Sequence, residues 1–167
     1  MPEEDRGIEL ADDMEFQRKN WRVQRIGWAA MLLLAIAALL GLFGNGPLSS
    51  ARAGDAASGF AISYERFARK GAPHSIDIEA GSGFVLSDSV RIWIAREWLD
   101  ANQLVRVTPV PARSDVLPDR IVYTFSAPGS GPIAVRVELE AQWLGSRHGS
   151  AGIVGGPTVH FRQFAYP

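Results

Sequence analysis

The chain has no cysteine. That excludes disulfides, thiolate metal sites and cysteine nucleophiles. Charge of either sign is not in excess, with 17 Lys and Arg against 18 Asp and Glu. A nucleic-acid interface needs a basic surplus, so nucleic acid is not expected as a partner. Histidine is scarce. His74, His148 and His160 show no His-x-His or His-x-x-x-His spacing that would hold a metal. No phosphate-binding loop, dinucleotide fingerprint or nucleophile elbow occurs. Asp77 and Glu79 share a face, with Asp88 nearby, but lack the loop spacing of a calcium site. They read as solvated charges opposite Ile76 and Ile78. No catalytic residue, metal or cofactor is assigned, and an enzyme is not expected.

What the chain does have is an unbroken apolar run. Residues 26–43 read IGWAAMLLLAIAALLGLF. At about 1.5 Å per residue, a helix of this length covers most of a bilayer core. Such a segment must be helical, because lipid offers no partners for backbone groups. Ala51-Arg52-Ala53 has the A-x-A pattern of a signal-peptide cleavage site. It lies well beyond the apolar run, however, and the leader before the run is long. A retained anchor is the favoured reading. Arg18, Lys19, Arg22 and Arg25 crowd the N-terminal flank. The positive-inside rule then keeps the N-terminus cytoplasmic and the rest of the chain in the periplasm. Trp21 and Trp28 would mark the inner interface and Phe43 the outer one. The basic flank either binds anionic membrane lipid or only sets topology. Ala37 and Gly41 form a small-xxx-small pair, suited to close helix pairing or to a plain anchor.

Residues 1–13 are acidic and polar, and are expected to be disordered. Residues 14–25 should form a basic juxtamembrane helix, capped by Asp12 or Asp13. Residues 44–58, rich in small and turn-forming residues, read as a flexible linker. Residues 59–167 break into short alternating segments at Phe60–Glu65, 76–78, 90–94, 104–110, Arg120–Ser126, 133–143 and 158–164. The clearest puts Ile133, Val135, Val137, Leu139, Ala141 and Trp143 on one face. Arg136, Glu138, Glu140 and Gln142 take the other, the period of a half-buried strand. Only residues 95–103 suit a short helix. The expected fold is mainly β: a small antiparallel, immunoglobulin-like β-sandwich tethered by one N-terminal transmembrane helix.

Two features could form a contact surface. Trp93, between Arg91 and Arg96, should face away from Ile92 and Ile94. It is then either an exposed anchor or is covered by the Trp98 segment. Residues 145–157 (GSRHGSAGIVGGP) read as a long hairpin connection or as a binding loop carrying Arg147 and His148.

Phe16-Gln17-Arg18, Trp21, Gln24-Arg25, the Gly-Leu-Phe-Gly of 41–44 and the Gly-Pro-Leu-Ser of 46–49 form a pattern, extended by Tyr64-Glu65-Arg66-Phe67. It resembles the N-terminal signature of a family of single-pass inner-membrane proteins in proteobacteria. Similar proteins are often encoded beside a YetF-like multi-pass membrane protein. The resemblance therefore implies an integral-membrane partner and supplies no catalytic residues. The expected function is that of a non-enzymatic accessory or interaction protein of the bacterial inner membrane. The alternative is a periplasmic ligand-binding or sensory domain on a membrane anchor.

Overall fold

The computed structural model describes residues 5–39, 49–55, 58–127 and 131–167, with side chains from residue 20 onwards. The chain divides into two units, residues 1–43 and 44–167.

The first unit is one helix, α1 (Asp5–Leu39). Its stretch Asn20–Leu39 is long and apolar enough to cross a membrane, and none of it is buried. The helix starts earlier than expected, so residues 5–13 are helical rather than disordered. Asp12 and Asp13 lie inside the helix and do not cap it. That segment has no proline and one glycine. Asp5 and Glu9 occupy the first turns, where a helix favours negative residues.

The second unit runs β1 (Ser50–Asp55), β2 (Phe60–Glu65), β3 (Phe67–Arg69), β4 (Pro73–Ala80), β5 (Ser89–Ala95), α2 (Arg96–Asp100), β6 (Asn102–Thr108), β7 (Arg113–Val116), β8 (Arg120–Ser126), β9 (Ile133–Ala141), β10 (Gly145–Ile153) and β11 (Thr158–Tyr166). One sheet has the order β1-β2-β4-β9-β6 and the other β3-β11-β10-β5-β8-β7. All strand pairs are antiparallel except β3 with β11. The fold is thus the expected mainly β sandwich, with more strands than alternation alone revealed.

The core lies between the sheets. Phe60, Ile62, Ile76, Ile78, Val135, Val137 and Leu139 from the first sheet meet Val90, Ile92, Ile94, Phe125, Val159 and Phe161 from the second. Each such buried side chain contributes roughly 1.5–3 kcal/mol. Alternation put Phe60 on the same face as Ile62, as found, though its neighbour Ala61 is buried as well, and it assigned no face to Phe125, Val159 or Phe161.

Two expected boundaries change. Ser50–Asp55 is strand β1, not linker, and pairs with β2 from Ser50↔Glu65 to Asp55↔Phe60. Its small residues hid it, since no hydrophobic alternation marks it. Residues 145–153 are strand β10, neither connection nor loop. Only residues 154–157 turn. Glycine serves here as a strand residue because its neighbours are large. A Cβ on Gly149 would meet the Phe161 ring, and one on Gly152 would lie 2.9 Å from the Trp93 indole nitrogen.

Candidate functional site

The residues singled out from the sequence do not converge. Trp21, Val23, Ile26 and Trp28 are exposed along α1. Arg25 lies over the Trp21 ring at 4.3 Å, a cation–π pair one turn apart. Arg22 is exposed too. The side chains of Arg18 and Lys19 lie outside the described residues, as do Gly41 and Phe43. Ala37 sits on the helix as expected.

Trp93 is not the exposed anchor it resembled. It is 9% exposed. It packs beside Gly152 on β10, and the Arg120 guanidinium covers its ring at 4.6 Å. The cover comes from β8, not from the Trp98 segment; Trp98 instead faces the core and packs edge-on to Phe161 at 5.1 Å. Arg91 is exposed, and Arg96 pairs with Asp100 at 3.3 Å. His148 faces outward opposite Arg162. Arg147 shares the register of buried Gln163 and lies 5.9 Å from the Trp143 ring. These five residues therefore do not form one surface.

The carboxylates are structural. Asp77 accepts two hydrogen bonds from Arg136, at 2.7 and 3.1 Å, and Glu79 pairs with Arg52 at 2.6 Å. These exposed cross-strand pairs contribute little to stability. No group of three metal-ligating side chains occurs among the described residues.

The structure instead assembles a cleft of about 400 Å³ lined by Tyr64, Arg66, Phe67, Arg162, Gln163 and Phe164. Its first three residues belong to the Tyr64-Glu65-Arg66-Phe67 pattern. The other three come from β11, almost a hundred residues later. The parallel pairing of Phe67 with Phe164 brings them together. The Arg66 carbonyl accepts from Phe164 N–H at 2.8 Å, and Arg66 N–H donates to the Ser49 carbonyl at 2.6 Å. Gln163 is fully buried, and its amide donates to the Glu65 carbonyl at 2.9 Å. Its Oε1 has no partner among the described residues. Arg162 donates through Nε to Ser146 Oγ at 2.7 Å. Neither arginine forms an ion pair among the described residues. Strand alternation turns Glu65 to the opposite face of β2 from Tyr64, and burial raises its carboxyl pKa.

Buried polar groups were the second surprise. His74 is 4% exposed on the inward face of β4, and neither ring nitrogen has a hydrogen-bond partner among the described residues. Burial lowers its pKa; the Ala72 backbone opposes this weakly without reaching full hydrogen-bond geometry. Asn102 is better satisfied. It donates to the Trp98 carbonyl at 2.7 Å and accepts from Trp143 Nε1 at 3.2 Å. On the far side of the sandwich, edge strands β6 and β7, their connection and the turn after β7 expose Leu104, Val105, Val110, Val116 and Leu117.

No family model matches this chain, and no curated protein does. Among solved structures, it is similar to a cohesin module from a Clostridium perfringens ATCC13124 family 33 glycoside hydrolase. Identity is 14%, covering 62% of this chain and 93% of that one, with a TM-score of 0.45.

Proposed function

We propose that the protein is a non-enzymatic, membrane-anchored interaction module of the bacterial inner membrane. Its N-terminus is cytoplasmic, its sandwich is periplasmic, and it works with an integral-membrane partner. The observation that carries this reading is the bare span Asn20–Leu39, which buries nothing within the chain. An apolar helix in that state needs lipid or another helix around it. The strand at Ser50–Asp55 supports retention of the anchor. Cleavage after Ala53 would cut through β1. The apolar rim of β6 and β7 supports an interaction role for the sandwich, since several large apolar side chains stand exposed along one side.

Extraction in mild detergent followed by affinity capture tests the proposal. A stoichiometric multi-pass membrane partner is expected, of the YetF-like kind if the resemblance holds. Recovery of the chain alone, at levels where the partner is also expressed, would overturn it. Replacing the apolar span by an unrelated helix of equal length tells whether helix pairing or the sandwich carries recognition.

A further inference from the structure

We propose that the cleft between β2–β3 and β11 binds a phosphate group attached to a carbon body, independently of any protein partner. Arg66 and Arg162 both line one concavity, and no carboxylate lines it. Guanidinium forks match phosphate oxygens, and hydrogen bonds between charged groups are the stronger kind. Arg162 spends only its Nε on Ser146, which leaves its two terminal nitrogens for an anion. Tyr64, Phe67 and Phe164 give the cleft apolar walls, and Phe164 stands 46% exposed. A bare inorganic anion would leave those rings in water. A phosphate carrying carbon would cover them. Glycerol phosphate has that chemistry, and so does a phospholipid headgroup.

The test uses the full chain in neutral detergent and isothermal titration calorimetry with two probes. One is glycerol 3-phosphate. The other is dihexanoyl phosphatidylglycerol, a short-chain lipid. Equal binding of glycerol phosphate and the glycerol lipid supports a soluble phosphate ester as ligand. Binding of the glycerol lipid alone supports a headgroup whose acyl root meets Phe67 and Phe164. In either case Arg66→Gln and Arg162→Gln should each weaken binding about tenfold or more. Arg91→Gln, an exposed arginine on another strand, should leave it unchanged. Circular dichroism and melting curves separate loss of binding from loss of fold. Absence of binding by both probes, or equal weakening by Arg91→Gln, would overturn the proposal. The outcome is read without a protein partner, so failure here leaves the interaction reading intact.

Discussion

Replacing Gly149 by alanine probes how β10 comes to be a strand. A Cβ at this position would lie 2.6 Å from Phe161 Cε2 and 3.0 Å from Cε1, and closest of all to Cζ. The ring cannot step aside easily. It is 4% exposed, with Trp98 edge-on at 5.1 Å and Tyr64 at 5.2 Å. Overpacking of this kind costs about 1–3 kcal/mol. Lower unfolded-chain entropy returns roughly 0.4–1 kcal/mol for glycine to alanine. A net loss of about 1–2 kcal/mol follows, or a fall in melting temperature of roughly 5–10 °C. Thermal melts of the full chain in detergent, followed by circular dichroism, would measure it. Gly83→Ala is the control, because a Cβ there meets nothing within 4 Å. In a Phe161→Leu background the cost of Gly149→Ala should shrink to below about 0.5 kcal/mol, since the clashing ring is gone. If Gly149→Ala melts no lower than Gly83→Ala, or costs the same in both backgrounds, the ring is not what demands glycine.

Val137→Asp should unfold the sandwich or cost several kcal/mol, because it places a charge at a position 1% exposed. Glu138→Lys, next to it, should change stability by no more than about 0.5 kcal/mol; urea midpoints compare the two. The lowered pKa of His74 gives a pH dependence with a defined sign. Below its ordinary value of 6.5 the unfolded chain takes up the proton and the folded chain resists it, so stability falls as pH drops from about 7 towards 5. His74→Leu should flatten that fall. Glu65, with its carboxyl pKa raised by burial, acts in the opposite sense, so the difference in urea midpoint between the parent chain and His74→Leu isolates the histidine. A C-terminal alkaline phosphatase fusion should be active, and N-terminal sequencing should find no chain starting at Gly54. A fluorescent C-terminal fusion of a protein that folds only in the cytoplasm would reverse the proposed orientation.

Strands with one buried face could be read directly. Arg120–Ser126 and Phe60–Glu65 match to the residue, and the alternation from Ile133 to Ala141 fixes which face is inside. The strands that escaped notice carry no such signal. β1 is built of Ser, Ala, Arg, Gly and Asp, β7 has four residues with Val116 its one apolar side chain, and β3 has three residues. In β10, Gly149 and Gly152 mark where neighbouring rings enter, which hydropathy cannot report. Trp93 was placed on the correct side of β5, yet its cover depends on Arg120 from another strand. Half of the cleft was visible as a pattern at Tyr64-Glu65-Arg66-Phe67. The other half, Arg162-Gln163-Phe164, joins it only through a parallel pairing that no local periodicity encodes.

The placement of β1 bears on shedding. Proteolysis after Ala53 would remove the partners of Glu65, Tyr64, Ser63 and Ile62, leaving only the pairs at Gly54 and Asp55. It would also remove Ser49, whose carbonyl fastens Arg66. β2 would become an open edge, and unpaired edges template aggregation. A domain released at that site would therefore have its cleft unfastened and a strand edge ready to capture another chain. The same six residues thus join the domain to the preceding chain and close the edge of its first sheet.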